Sequence, residues 1–137
     1  MSRSTIQARL DSTVPQLQEL ANRNGWRLVV LFGSLGRGEA GRDLDLAVLP
    51  RAVPTLLDQG RWQAELESLY APLPVDLLLL GPDLSPVTRY LVFRDGHRLF
   101  ELEPGLFERE QDRAFFLHAD SEWFRRQQRE ALYGHTR

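Results

Sequence analysis

Between Trp26 and Leu49 two short apolar runs are joined by a glycine-rich stretch, and two aspartates stand at the entrance to the second run. The first run, WRLVVLF at residues 26–32, is aromatic and β-branched and stops at Gly33, which predicts a strand. The second, LDLAVL at residues 44–49, predicts another. Gly33, Gly36, Gly38 and Gly41 fall within nine residues between them. A chain that leaves one strand, turns through glycines and enters a second is committed to a sheet, and the remaining sequence has to cover it.

Ile6, Leu10, Val14, Leu17, Leu20 and Ala21 recur at helical spacing. The run is broken at Pro15, whose missing amide interrupts a helix interior. Thr13 is placed to cap a second short helix that ends at Gly25. Leu56, Leu57, Trp62, Leu66, Leu69 and Tyr70 predict a helix over residues 55–70, closed by Pro72 and Pro74. VDLLLL at residues 75–80 predicts a third strand, buried on both faces. A helix is expected from Ser85 to Arg94, ending at Gly96, and a short edge strand from His97 to Leu102. From Leu106 to Leu132 the spacing of Phe107, Ala114, Leu117, Phe124 and Ala131 predicts one long amphipathic helix. Strands alternating with helices give an α/β (α+β) domain in which helices pack on a small mixed sheet. A length of 137 residues suits one domain, residues 1–137.

Composition removes several chemistries. Cysteine is absent, which excludes disulfides, thiolate nucleophiles and Cys-type zinc sites. Lysine is absent too, so all 17 basic residues are arginine, and neither a P-loop lysine nor a Schiff base is available. The net charge of -2 lacks the basic excess of a nucleic-acid footprint, so no direct nucleic acid is expected. MSRSTIQARLDS carries no signal-peptide core, and the apolar runs, Leu77 to Leu80 among them, are far short of a membrane span. The expected address is therefore the cytoplasm, with no membrane partner.

GSLGRGEAGRDLDLAVL, Gly33 to Leu49, carries the chemistry. Glycines let backbone amides approach an anion closely, Ser34 adds a hydroxyl, and Arg37 and Arg42 add guanidinium forks suited to phosphate. Asp43 and Asp45, read as lying in one strand, project from the same face, roughly 6.5 Å apart. Leu44, Leu46 and Val48 take the opposite face. Two such carboxylates suit Mg²⁺ or Mn²⁺ together with phosphate oxygens. Asp76, alone among apolar residues, stands either as a third ligand or at the exposed start of its strand. Together these residues point to metal-assisted phosphoryl chemistry on a nucleoside triphosphate.

The order strand, Gly-Ser loop, DxD strand, helix, third Asp strand resembles the minimal nucleotidyltransferases of the polymerase-β superfamily. The size and the stretch RYLVFRDGHRLFELEPGLFERE resemble the MNT antitoxins, partners of HEPN-domain toxins. The likeness covers most of the chain. It implies the polymerase-β-like fold with a long C-terminal helix. It implies Gly33 and Ser34 as the loop pair, and Asp43, Asp45 and Asp76 as catalytic metal carboxylates. It further implies transfer of AMP from ATP to a tyrosine of a HEPN ribonuclease. Two departures stand out: the loop between Ser34 and Asp43 is shorter than is usual in that group, and Arg42 replaces the serine that commonly precedes the first aspartate. They motivate the alternative of a catalytically inactive antitoxin that acts by binding alone. Transfer to a small molecule such as an aminoglycoside ranks last, because the chain has little room for a substrate domain.

His97, His118 and His135 lack a second ligand at metal-site spacing. Trp26, Trp62 and Trp123 are expected in the core, and Tyr70, Tyr90 and Tyr133 are expected to pack with their hydroxyls at the surface. Phe115, Phe116, Trp123 and Phe124 exceed what one stripe needs, so core packing takes most of them and the rest serve a partner in a homo- or hetero-oligomer. Arg125, Arg126 and Arg129, beside Glu122 and Glu130, read as a solvated helix face.

Overall fold

Helix stops and strand starts alternate along the computed structural model, which describes residues 3–36 and 43–133. The elements are α1 (Arg3–Ser12), α2 (Val14–Asn24), β1 (Trp26–Phe32), α3 (Gly33–Gly36), β2 (Leu44–Pro50), α4 (Leu56–Tyr70), β3 (Val75–Leu79), α5 (Pro86–Arg94), β4 (His97–Glu101) and α6 (Leu106–Tyr133). Pro15 sits in the first turn of α2, where its missing amide costs nothing. Gly25 ends that helix in a left-handed conformation (φ 71°) and donates its amide to the Ala21 carbonyl. Thr55 and Asp58 form a reciprocal capping box at the start of α4. The Ser85 hydroxyl accepts the Thr88 amide at the start of α5.

The four strands form one mixed sheet in the order β3-β2-β1-β4. β1 runs antiparallel to β2 and to β4, whereas β2 and β3 are parallel. A parallel neighbour requires a crossover, and α4 supplies it. Side-chain alternation then divides the core in two. Leu44, Leu46 and Val48 of β2 join Ile6, Leu17, Trp62 and Leu66 from α1, α2 and α4 on one face. Trp26 and Trp62 meet there edge to face, with ring centroids 5.6 Å apart. Leu28, Val30 and Ala47 join Val92 and Phe93 of α5 and Leu106 and Ala114 of α6 on the other. Among the described residues no helix is long and apolar enough to cross a membrane.

Five expectations require correction. β3 is an edge strand, and after Val75 it is only partly covered, because among the described residues no strand lies beyond it. Asp76 is consequently exposed. Thr13 occupies the cap position of α2 without capping it; its hydroxyl donates back to the Arg9 and Leu10 carbonyls instead. Tyr70 is buried down to its hydroxyl, which burial pushes up to about 12, with the Thr13 hydroxyl offsetting part of the rise. Finally, α6 outruns the sheet. Its first turns bury Leu106 and Ala114, but Phe116, Trp123 and Phe124 are 70%, 57% and 56% exposed. Trp123 is therefore not a core residue, and Phe124 and Ala131 at the end of the stripe are exposed.

Candidate functional site

The site is assembled by strand register. Phe32, the last residue of β1, pairs with Asp45 of β2, and Asp45 pairs in turn with Asp76 of β3. Neighbouring strands lie about 4.8 Å apart, so two carboxylates 31 positions apart in sequence become nearest neighbours on one side of the sheet. By alternation that side is the one shared with Ala47 and Leu78. α5 and α6 cover it farther along the strands, through Ala47, Leu28 and Leu80.

Gly33 completes the corner. It leaves β1 at φ +70°, a conformation that L side chains rarely adopt, and a Cβ there would collide with the Asp45 carboxylate. Glycine thus serves both the turn and the close approach of backbone to acid. Ser34 follows in α3, half-buried. Arg37 and Arg42 lie outside the described residues.

Asp43 departs from expectation. It lies in a bend before β2, exposed, so strand alternation does not fix its direction as it fixes that of Asp45. Among the described residues no three His, Cys, Asp or Glu side chains are gathered so as to hold a metal ion. The structure therefore brings Asp45 and Asp76 together and leaves Asp43 at the rim. The pair still fits a hard divalent cation. Mg²⁺ is commonly held by one or two carboxylates, with phosphate oxygens and water completing its shell. Asp76 is exposed and Asp45 half-buried, so the pair is open to such ligands from solvent.

Sequence reasoning missed a second feature of these strands. A groove of 630 Å³ opens at their opposite ends and is lined by Arg27, Arg51, Arg89 and Arg113. These residues come from four separate elements or loops, so no local pattern marks them. His118, which lacks a second ligand at metal-site spacing in the sequence, stacks on Tyr90 at 4.0 Å and lies 3.5 Å from Glu122.

With fold and carboxylates in place, comparison with known proteins is decisive about class. The family profile for polymerase β nucleotidyltransferases matches residues 16–104, more than half of the chain. The chain belongs to the polymerase β nucleotidyltransferase family. A minimal nucleotidyltransferase of known structure is 35% identical, covers 71% of this chain and 95% of its own, and superposes with a TM-score of 0.55. A toxin–antitoxin structure with AMP-PNP shares the fold at TM-score 0.69 and 22% identity, covering 87% of this chain and 97% of its own. The MNT antitoxin from the complex with tri-AMPylated HEPN toxin of Shewanella oneidensis does so at 0.67 and 20%, covering 90% and 98%. No curated protein matches the sequence.

Proposed function

We propose that this protein is an MNT-type antitoxin that transfers AMP from ATP to a hydroxyl, a tyrosine by preference, of a cognate HEPN ribonuclease toxin, and so neutralises it. The observation that carries this reading is the register pair Asp45–Asp76 beside the Gly33 turn. The fold shared with an AMP-PNP-bound toxin–antitoxin structure and with the partner of an AMPylated HEPN toxin supports it.

In this reading Asp45 and Asp76, with Asp43 from the rim, would hold Mg²⁺ or Mn²⁺. A bound cation would supply charge neutralisation for the triphosphate and lower the pKa of the acceptor hydroxyl. The backbone amides after Gly33 and the Ser34 hydroxyl donate to the β- and γ-phosphates, with Arg37 and Arg42 as further phosphate ligands. The acceptor oxygen attacks the α-phosphorus, the bond from that phosphorus to the bridging oxygen breaks, and pyrophosphate departs. Asp76, the more exposed of the pair, accepts the hydroxyl proton. The test is incubation with α-labelled ATP, Mg²⁺ and the HEPN protein encoded beside this one. Label on a partner tyrosine is expected; unlabelled partner with folded antitoxin contradicts transfer.

One observation favours a second reading, neutralisation by covering alone. Phe116, Trp123 and Phe124 form an exposed aromatic surface on α6 of the kind that anchors protein partners. If the Asp45→Asn protein still binds and silences the toxin in cells, covering suffices.

A further inference from the structure

The arginine-lined groove at the far ends of β2 and β3 is built differently from the acidic corner. Asp45 and Leu49 are four strand residues apart, about 13 Å, so the groove is not an extension of the carboxylate site. Its volume of 630 Å³ lies within the roughly 300–1,000 Å³ that holds small ligands. Leu49, Leu79 and Leu80 give it an apolar wall.

Charge in the groove is unbalanced. Four arginines line it against two acids, Asp83 and Glu110. Arg27 is satisfied by Glu103 at 3.5 Å. Among the described residues no carboxylate stands within ion-pair distance of Arg51, Arg89 or Arg113. Arg89 is half-buried and anchored by a 2.6 Å hydrogen bond to the Gly81 carbonyl, which fixes its fork at the groove. Burial lowers its pKa, Glu110 partly restores it, and Arg113 lowers it further. A fixed, partly desolvated guanidinium beside a second positive charge is a site that an anion stabilises.

We propose that this groove is a second ligand site that takes a phosphate-bearing small molecule of mononucleotide size. Its phosphate is held by Arg51, Arg89 and Arg113, and its apolar ring lies against Leu49, Leu79 and Leu80. Because arginine rather than carboxylate meets the phosphate, binding here needs no divalent cation. That separates it from the acidic corner, where an anion without a cation is repelled. The proposal does not depend on nucleotidyl transfer, and the Asp45→Asn protein retains this site.

The test is titration of the isotopically labelled full chain with AMP, and separately with inorganic phosphate, in EDTA, followed by amide NMR. Saturable shifts are expected at Arg51, Gly81, Arg89 and Arg113, with Gly33, Asp45 and Asp76 unmoved. AMP should bind at least about tenfold more tightly than phosphate if the apolar wall takes part. Arg51→Glu and Arg113→Glu, both on the exposed rim, should each weaken AMP binding about tenfold or more with an unchanged circular dichroism spectrum. Arg89→Gln tests the anchored fork, with thermal unfolding as its folding control. No saturable shift at millimolar AMP overturns the proposal, as do shifts confined to the acidic corner. Capture of RNA or an acidic peptide at these arginines, without AMP binding, overturns it as well.

Discussion

The two ends of the β2–β3 pair hold opposite charge, and they are built by different means. At one end strand register alone sets Asp45 beside Asp76, and a glycine clears the space over one of them. At the other, arginines from β1, a loop, α5 and α6 converge on a groove with an apolar wall. The first arrangement is enforced by backbone hydrogen bonds and cannot slip without turning every side chain of β2 over. The second depends on how α5 and α6 pack. A sheet can thus fix one site rigidly through its ladder while its covering helices shape another.

Asp45→Asn should produce the largest effect that separates the ends. Nucleotidyl transfer is expected to fall at least about a hundredfold, roughly 3 kcal/mol of transition-state stabilisation, with thermal unfolding nearly unchanged. Arg113→Glu, at the other end, should leave transfer intact. Labelled-ATP assays on the two variants side by side would break the comparison if both lost transfer. Gly33→Val comes next. Strain at positive φ and collision with the Asp45 carboxylate should cost about 1–3 kcal/mol in denaturant unfolding and depress transfer in parallel.

A smaller effect is expected from Glu101, which lies remote from the acid pair and caps the start of α6. Its carboxylate accepts the amides of Phe107 at 3.0 Å and Gly105 at 3.4 Å. The Phe107 bond leads in holding it below its ordinary value; burial opposes this, and Arg98 assists it. A lowered folded pKa means this stability is fully present above the unfolded value of 4.5 and is lost as pH falls through the lower folded one. Glu101→Gln should cost about 1 kcal/mol at neutral pH and flatten the acid limb of the stability curve, measured by thermal melts across pH. The smallest effect on folding belongs to Phe116→Ser, Trp123→Ser and Phe124→Ser. Each should move stability by under about 0.5 kcal/mol while partner binding, read by calorimetry, weakens tenfold or more.

Local pattern carried most of the fold. WRLVVLF stopped at Gly33 and defined β1 without error, because glycine and β-branched residues act within a few positions. The same holds for the Pro72 and Pro74 stop after α4 and for the helix expected from Ser85 to Arg94, which is α5. Exposure was less legible. The run of leucines in β3 reads as doubly buried, yet the sheet ends there, and sheet order is a long-range property. The periodicity of α6 continues past Ala114, but nothing in the spacing tells how far the sheet beneath it extends. At the site, Asp45 was legible from alternation. Its partner Asp76 required the parallel register, and Asp43 lay outside the strand that was to aim it. The arginine groove carries no sequence signal, since its members are brought together by tertiary packing alone.

Paramagnetic NMR with Mn²⁺ and a non-hydrolysable ATP analogue addresses the acidic corner most directly. Signals of Gly33, Asp45 and Asp76 should broaden together, those of Arg51 and Arg113 should stay sharp, and Asp45→Asn should remove the broadening. Broadening that spares Asp76, or that survives loss of Asp45, would contradict the assignment of the cation to this pair.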